Sequence, residues 1–303
     1  MTSLSKKVFN VCRSDDRITV SFEAFPARSA HDRDALVAMA QNLEGYEPAF
    51  LSVTYGAGGS TRESTLDSVK HLARQTSHQI AGHLTCVGAS RDDTNETIDQ
   101  YHALGVRHIV ALRGDAPAGA ARYEPHPDGY QDTSQLVRHL KARGEFDISV
   151  AAYPEKHPDS PTTANDLDHL KAKIDAGADR AITQFFFDNT LFYRFLETAH
   201  ASGISRQIVP GILLIHDFAK VQNFARRCQA TVPDWLRARF AGLEGDLEAQ
   251  KLAAASVAAE QVLDLAGQGV RQFHFYTLNR PDLAIAMCRC LGIVPDRRIL
   301  SAA

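Results

Sequence analysis

A carboxylate at the end of the first strand-like segment is well placed to act as an acid or a base. Apolar and polar side chains alternate along Ile18-Thr-Val-Ser-Phe-Glu23, which predicts a strand with one apolar and one polar face. Pro26 follows and cannot extend a hydrogen-bonded ladder. A carboxylate at the C-terminal tip of a barrel strand suits general acid-base chemistry. A lone glutamate at a loop edge is more often plain surface, so the rest of the chain has to decide.

Further polar clusters follow most of the other strand-like segments. They are Thr54-Tyr55-Gly56, His83-Leu-Thr85, Arg113-Gly114-Asp115, Tyr153-Pro-Glu-Lys-His157, Gln184 and Tyr276-Thr-Leu-Asn-Arg280. Because parallel strands of a barrel end at one face, these clusters predict the mouth of a cofactor or substrate site.

Two of the polar groups also allow a purely structural interpretation. Arg113 and Asp115 are as consistent with a structural ion pair as with a functional role. Asp166, His169 and Lys173 share one helical face at the spacing i, i+3 and i+7, and periodicity alone favours a solvated surface for such a stripe.

Several familiar sites are not expected from the sequence. The Gly56–Thr61 loop resembles a dinucleotide fingerprint, but Thr61 replaces its third glycine and no acidic residue ends the next strand-like segment, Ile80-Ala-Gly-His83. There is no nucleophile elbow, P-loop or HExxH motif, so hydrolase and kinase interpretations have no starting point. Cys288 and Cys290 lack partners at zinc spacing and are predicted to be helix residues.

The strand-like segments alternate with helix-period segments along the whole chain. The predicted strands lie near 17–23, 49–53, 79–84, 107–112, 147–152, 180–186, 206–213 and 271–276. The predicted helices lie near 32–44, 62–75, 91–104, 132–143, 163–176, 190–202 and 217–228, with an extra Ala-rich helix at 247–265. Ser90 and Asp93 predict a capping box, and Gly105 and Gly177 predict helix ends.

This alternation predicts an α/β fold of parallel βα units, either closed into a (β/α)8 barrel or open and doubly wound. No linker or composition shift divides the 303 residues, so we predict a single (β/α)8 TIM barrel over 1–303 with an extra helix before the last strand. We expect residues 1–15 to form a loosely ordered N-terminal tail.

Bulk composition narrows the class of protein. A net charge of -3 with intermixed signs argues against binding to nucleic acid or to a membrane surface. The N-terminus lacks the apolar run of a signal peptide, and no run of eighteen apolar residues could span a bilayer. Five scattered cysteines suit a reducing compartment without a disulfide framework. We therefore expect a cytoplasmic protein that acts on small molecules.

A set of longer segments closely resembles the methylenetetrahydrofolate reductase family, from about residue 17 to about residue 295. The segments are Val20–Glu23, Leu51–Ala57, His83–Cys86, Arg107–Asp115, Phe146–Glu155, Asp175–Ala178, Arg180–Asp188, Val209–Ile212 and Phe273–Arg280. The resemblance implies a barrel that binds FAD non-covalently. NADH or NADPH would reduce the flavin and leave, and 5,10-methylenetetrahydrofolate would then be reduced to 5-methyltetrahydrofolate. It also implies a homo-oligomer, and it does not choose between NADH and NADPH.

The resemblance also implies roles for individual residues. Glu23 would be the general acid that protonates N10 of the bridged folate, and we expect burial to raise its pKa. The Asp115 charge would favour the cationic iminium formed from the folate. Thr54 would lie on the nicotinamide side, and the folate contacts would be Asp115, Gln184, Phe224, Tyr276 and Arg280. The implied FAD contacts are Thr54, Tyr55, His83, Arg113, Gly114, Asp115, Thr133, Tyr153, His157, Asp166, His169 and Lys173.

The chain departs from the family pattern at a few positions. Ala24 and Ala27 replace larger family residues, so we expect a roomier mouth beside Glu23, and Leu214 replaces a usual proline. Ala172 stands where a basic residue is common, which keeps a flavin-independent reductase open as an alternative. The loop 116–131 differs in length and sequence, which leaves adenine contacts there open.

The sequence also allows two functions without a redox step. A folate-dependent methyltransferase barrel would need a zinc-thiolate or corrinoid site, which the cysteine spacing does not offer. A non-catalytic folate-binding scaffold would have little use for two unpaired carboxylates, Glu23 and Asp115.

Overall fold

The computed structural model describes residues 17–55, 62–116 and 123–296. The predicted N-terminal tail and the Gly56–Thr61 loop lie outside these ranges. The described residues form nine parallel strands. The strands are β1 (Thr19–Ala24), β2 (Leu51–Val53), β3 (Ile80–Thr85), β4 (His108–Leu112), β5 (Asp147–Ala152), β6 (Arg180–Thr183), β7 (Gln207–Val209), β8 (Gly211–Leu213) and β9 (Gln272–Tyr276).

Helices connect the strands on the outside of the sheet, ten of them within the described ranges. They are α1 (Ala30–Glu44), α2 (Arg62–Gln75), α3 (Arg91–Ala103), α4 (Thr133–Arg143), α5 (Thr163–Asp175), α6 (Asn189–Ala201), α7 (Phe218–Cys228), α8 (Asp234–Phe240), α9 (Leu247–Gly267) and α10 (Pro281–Cys290). The capping box predicted at Ser90 and Asp93 is confirmed at the start of α3. Gly105 and Gly177 adopt positive φ values of 82° and 114° just past α3 and α5, as predicted.

The sheet closes through a strand that is divided in two. The strand order is β7-β6-β5-β4-β3-β2-β1-β9-β8, and Pro210 alone separates β7 from β8 in the chain. β7 pairs with β6, whereas β8 pairs with β9. Pro210 has no N–H to donate, so the ladder changes partner at this residue. The predicted (β/α)8 barrel is therefore confirmed, with the predicted strand 206–213 broken at its proline.

Alternation along the strands separates two apolar clusters. The large cluster contains Val20 and Phe22 together with the buried faces of the helices. A small cluster of Phe50, Ala81, Val110, Ile182 and Val209 is separate from it, and side chains of β1 such as Ser21 and Glu23 contact polar groups of other strands. Because side chains of a strand alternate between its two faces, Ser21 and Glu23 lie on the face opposite Val20 and Phe22, as the sequence predicts. In the part of the chain that is described, no helix is long and apolar enough to cross a membrane.

Candidate active site

Two adjoining cavities open at the C-terminal ends of the strands. The lateral cavity, about 470 Å³, lies between the ends of β3 to β5 and the helices α4 and α5. The central cavity, about 550 Å³, has Glu23 in its wall and lies over the mouth of the barrel. The two cavities share the side chains of Tyr55, Leu112, Asp115, Ala151 and Tyr153.

The cavities gather most of the residues that the sequence singled out. The lateral cavity is lined by Tyr55, Arg113, Gly114, Asp115, Thr133, Tyr153, His157, Asp166, His169 and Lys173. The central cavity is lined by Glu23, Thr54, Tyr55, His83, Asp115, Tyr153, Gln184, Phe224 and Tyr276. Arg280 lines neither cavity and is exposed at the N-terminus of α10.

Glu23 is held between two imidazoles. The Oε2 atom of Glu23 lies 3.3 Å from Nε2 of His83 and 3.6 Å from Nε2 of His274, and only 18% of the Glu23 side chain is exposed. The register of β1 against β9 sets Glu23 beside Tyr276 and Ser21 beside His274. These pairings bring the carboxylate and the imidazole of neighbouring strands to the same side of the sheet.

The expected rise in the pKa of Glu23 is wrong. Burial does act to raise the pKa, but the hydrogen-bonding and charge interactions with His274 and His83 outweigh it and lower the pKa of Glu23 to about 2. Glu23 is therefore ionised at neutral pH in the protein without ligands.

Ser21 fixes the ring of His274 from the other side. Its Oγ atom lies 2.7 Å from Nδ1 of His274, and the imidazole is almost completely buried, with 1% of its side chain exposed. When the Ser21 hydroxyl donates to Nδ1, the hydrogen of the neutral ring resides on Nε2, which faces the carboxylate of Glu23. The sequence analysis missed His274 and Ser21 as site residues, although the alternation of Phe273-His-Phe275 could have placed His274 on the polar face.

Asp115 does not form the ion pair with Arg113 that was one of the two interpretations of this residue. Nη2 of Arg113 lies 2.6 Å from Oδ2 of Asp159 instead, so the guanidinium is held by the loop after β5. Gly114 makes the turn between them with a φ of 87°. A Cβ atom at Gly114 would lie 2.4 Å from Cγ1 of Val87, so the turn requires glycine on two counts. Asp115 is exposed and borders both cavities.

The polar stripe on α5 borders the lateral cavity, so its interpretation as plain solvated surface is wrong. Nζ of Lys173 donates to the carbonyl of Ala151 at 2.5 Å. Burial is the main cause that lowers the pKa of Lys173 to about 8, with Asp166 acting against it. Asp166 accepts from the backbone N–H of His157 at 3.2 Å and from the Ser160 hydroxyl at 3.0 Å, which ties the loop after β5 to α5.

The donor set of the lateral cavity fits a large ligand with phosphate and hydroxyl groups. Lys173 and Arg113 supply cationic donors, and the first turn of α4, a helix N-terminus, lies in the wall with Thr133. Two lining atoms, Oγ1 of Thr85 and the hydroxyl of Tyr123, are buried without hydrogen-bond partners among the described residues. Buried polar groups are normally satisfied, so both atoms point to a ligand that completes them.

The far side of the central cavity is aromatic. Phe224 on α7 packs against Phe185 with ring centroids 5.2 Å apart. The Tyr276 hydroxyl donates to the carbonyl of Thr183 at 2.7 Å, and its ring meets that of His274 edge-on. Gly211 makes room for it, because a Cβ atom there would lie 2.6 Å from Cε2 of Tyr276. These surfaces suit a flat ligand that stacks between rings.

The structure shows where the residues that depart from the family pattern lie. Ala24, Ala27 and Leu214 are buried in the large apolar cluster and line neither cavity, so their size does not shape the mouth directly. Ala172 lines the lateral cavity. Cys288 and Cys290 lie on α10, as predicted.

A third cavity in the described part of the chain lies away from the barrel mouth. It measures about 590 Å³ and sits outside the barrel between α6, α8 and α9, beside Trp235. The carboxylate of Asp264 in its wall already accepts hydrogen bonds from Tyr193 and Asn189, at 2.6 and 2.7 Å. It lacks the convergence of strand ends that marks the other two cavities, although Oδ1 of Asn189 in its wall is buried without a hydrogen-bond partner among the described residues.

The fold and these two cavities define a (β/α)8-barrel enzyme with its chemistry at the C-terminal face of the strands. A family model described as methylenetetrahydrofolate reductase matches residues 8–292. The chain is 46% identical over 280 residues to the 5,10-methylenetetrahydrofolate reductase of Pectobacterium carotovorum subsp. carotovorum, covering 92% of each chain. It is 43% identical over 279 residues to that of Escherichia coli K12, again covering 92% of each. The chain belongs to the methylenetetrahydrofolate reductase family, a family of oxidoreductases.

Solved structures agree on the fold. An uncharacterized protein from Clostridium thermocellum, described as binding two copies of 5-methyl-5,6,7,8-tetrahydrofolic acid, superposes with a TM-score of 0.60 at 14% identity over the whole of both chains. A Xanthomonas albilineans dihydropteroate synthase superposes with a TM-score of 0.50 at 14% identity, covering 92% of each chain. At such identities the likeness concerns the fold alone.

Proposed function

We propose that this protein reduces 5,10-methylenetetrahydrofolate to 5-methyltetrahydrofolate with NADH or NADPH, and that FAD occupies the lateral cavity. The observation that carries the proposal is the junction of the two cavities at Asp115, with Glu23 in the central cavity beside it. Bound FAD would supply hydride transfer between the two co-substrates, which use the central cavity in turn.

The described residues supply the contacts that FAD would need. Lys173, Arg113 and the start of α4 would face its phosphates, and Asp166 and His169 would face its hydroxyl groups. Tyr55 and Tyr153 border both cavities, where a flavin ring would need flat neighbours. His83 and Thr54, predicted as FAD contacts, line the central cavity only and stay predictions for the cofactor.

Glu23 would transfer the proton that opens the five-membered ring of the bridged folate. Its ionised carboxylate attracts the basic N10 end of the substrate, and the imidazoles of His83 and His274 lie within 3.3 and 3.6 Å of it to share or supply the proton. Burial of the group by a bound substrate removes water and shifts the balance towards the protonated carboxyl. The role of general acid therefore belongs to Glu23 with its two imidazoles.

Asp115 would provide a fixed negative charge at the junction of the cavities. The ring-opened folate is a cation, and a carboxylate beside it lowers the energy of that state. Because Arg113 is paired with Asp159, the Asp115 charge is not neutralised by its neighbour in the chain. Gln184 and Phe224 would contact the folate or the nicotinamide from the opposite wall.

The lateral cavity supports the flavin-dependent reaction over direct hydride transfer from nicotinamide to folate. A flavin-independent reductase would have no use for a second cavity with a half-buried Lys173 and two buried hydroxyl groups that lack partners among the described residues. The cytoplasmic location, the homo-oligomer, the choice between NADH and NADPH, and the folate contact of Arg280 stay predictions from the sequence.

The decisive test is a pair of half-reactions on the purified protein. We expect the absorption spectrum of oxidised flavin, bleaching of that spectrum by NADH or NADPH without oxygen, and its return on addition of 5,10-methylenetetrahydrofolate. Protein reconstituted with excess FAD that still binds none would overturn the flavin assignment. A bound flavin that the folate cannot reoxidise would overturn the substrate.

A further inference from the structure

The rim of the central cavity carries two arginines that the proposed chemistry does not use. Arg28 follows β1, Arg227 lies in the last turn of α7, and both line the cavity with exposed side chains. Neither guanidinium is paired with a carboxylate in the described ranges, unlike Arg113 with Asp159. Two unpaired cations at the entrance of one cavity form a positive rim.

The backbone that carries Arg28 is held firmly. The N–H of Phe25 donates to Oδ1 of Asn279 at 2.8 Å, and Nδ2 of Asn279 donates back to the carbonyl of Phe25 at 3.1 Å. The N–H of Ala27 donates to the hydroxyl of Ser68 at 2.9 Å. These bonds fix the loop after β1 against the loop after β9 and against α2, so Arg28 projects from a fixed base.

Arg227 is placed by the same helix as Phe224. The two residues are three positions apart on α7, so their side chains project from one side of the helix towards the cavity. Phe25, with 45% of its surface exposed, lines the same rim. The entrance therefore offers aromatic surfaces next to cations, which suits a ligand with a flat part followed by an anionic part.

The charged residues that line the central cavity also favour one orientation of a bound ligand. Glu23 and Asp115 place carboxylates in the barrel mouth and at the junction of the cavities, whereas Arg28 and Arg227 are positive and exposed at the rim. A ligand with an anionic tail is attracted to the two arginines and repelled from the two carboxylates. The field thus favours entry with the reactive end inward and the charged tail outward.

We propose that Arg28 and Arg227 form an anion-binding pair that holds the charged tail of the ligand in the central cavity. This inference rests on the proposed function. The shared chemistry is an oxyanion that accepts from a guanidinium, and it has two sources: the glutamate carboxylates of the folate or the phosphates of the nicotinamide dinucleotide.

The test uses Arg28→Gln and Arg227→Gln, with Arg226→Gln as the matched control. Arg226 is exposed on the same helix, contacts Oδ1 of Asn223 at 3.2 Å and lines neither cavity. Each FAD-loaded variant is assayed with 5,10-methylenetetrahydrofolate, with the analogue that lacks the glutamate, and with each nicotinamide dinucleotide. We expect Arg227→Gln to raise the KM for the complete folate about threefold to tenfold with kcat unchanged, the size of an exposed charge-assisted contact.

The analogue without glutamate separates tail binding from a general effect on the cavity. The KM for this analogue should be the same in wild type, Arg227→Gln and Arg28→Gln. Added salt should raise the KM for the complete folate less in the variants than in wild type. An increase in KM confined to the dinucleotide would also support the anion-binding pair and would assign it to the phosphates. Variants that match Arg226→Gln for every ligand, or that lose as much with the analogue, would overturn the inference.

Equilibrium binding keeps this test independent of turnover. Calorimetric titration with 5-methyltetrahydrofolate, and with its analogue lacking glutamate, compares the same variants without any reaction. If the wild-type protein binds both ligands but shows no turnover, the result contradicts the proposed function and leaves the anion-binding pair standing. A weaker affinity of Arg227→Gln for the complete ligand only would support the anion-binding pair in that case too, and affinities equal to wild type for this ligand and for each nicotinamide dinucleotide would overturn it.

Discussion

Nε2 of His83 lies 3.3 Å from Oε2 of Glu23 in the wall of the central cavity. With His274 on the other side, this contact lowers the pKa of the carboxyl to about 2, although burial alone would raise it. An isolated buried carboxyl would hold its proton more tightly, so the two imidazoles set the acidity of this group. The chemistry at this site is therefore a property of the carboxylate and both imidazoles together.

Replacing Lys173 by Ala should weaken the retention of FAD. The half-buried amine has a backbone carbonyl as its only hydrogen-bond partner among the described residues, so an anionic phosphate is its natural complement. We expect a loss of about 1–3 kcal/mol in the binding free energy of FAD, the size of a charge-assisted contact. Equilibrium dialysis of the flavin measures it.

The control for this prediction lies one half-turn away on the same helix. Lys171 forms an exposed pair with Asp175 at 2.8 Å and lines neither cavity, so Lys171→Ala should retain FAD like the wild type. If Lys173→Ala and Lys171→Ala bind FAD equally well, the phosphates do not lie beside Lys173.

Asp115→Asn should make the bound flavin easier to reduce and slow the reduction of folate. Reduction adds negative charge to the flavin, so removing a nearby carboxylate favours the reduced form, while the folate cation loses its counter-charge. Asp168→Asn, an exposed carboxylate of α5 outside both cavities, controls for net charge. A redox titration checks the prediction, and a potential that is unchanged or more negative in Asp115→Asn would contradict it.

Gly211→Ala should destabilise the barrel where its seventh strand is divided. A Cβ atom at Gly211 would lie 2.2 Å from the carbonyl oxygen of Thr183 and 2.6 Å from the ring of Tyr276. Overpacking of this kind costs about 1–3 kcal/mol of unfolding free energy. Gly267→Ala at the end of α9 is the control, because nothing lies within 4 Å of its Cβ position. Urea unfolding measures both, and equal stabilities would mean that the strand accommodates the methyl group.

His108 should make stability fall as the pH drops from about 6.5 towards 4. Burial lowers the pKa of His108 from 6.5 to about 4, against the charge of Asp147. Between these values the unfolded chain binds a proton that the folded chain does not, so acid favours unfolding by up to about 3 kcal/mol. Below pH 4 this contribution no longer changes.

The measurement is the free energy of unfolding in urea between pH 7.5 and pH 4. His108→Gln should show a shallower dependence on pH over this range than the wild type. His200→Gln, an exposed histidine on α6, should keep the wild-type slope. Equal slopes for all three proteins would show that His108 titrates normally in the fold.

Local patterns in the sequence were sufficient for most of the barrel. The alternation in β1 and the caps of α3 depend on residues a few positions apart, and the structure confirms both. The sequence analysis placed no helix at α8, which has only seven residues and no side-chain cap, and it anticipated α10 only through Cys288 and Cys290, without its start. The division of strand 206–213 was missed although Pro210 inside the run is a local signal for it, whereas the strands that β7 and β8 pair with depend on how the barrel closes.

The electrostatics of the site could not be predicted from neighbours in the chain. The pKa of Glu23 depends on His274, which the pairing of β1 with β9 brings beside it from the other end of the sequence. The stripe of Asp166, His169 and Lys173 shows the same limit, because a polar helix face looks alike in sequence whether it borders water or a cavity. Both questions are decided by tertiary contacts.

The most direct measurement is stopped-flow kinetics of Glu23→Gln in each half-reaction separately. Only the folate half-reaction needs a proton to open the substrate ring, and a glutamine keeps the size of the side chain without its charge. We predict that NADH or NADPH reduces the flavin of Glu23→Gln at nearly the wild-type rate, while reoxidation by 5,10-methylenetetrahydrofolate is lost. Equal slowing of both half-reactions would contradict the acid role and leave Glu23 as part of the architecture of the barrel.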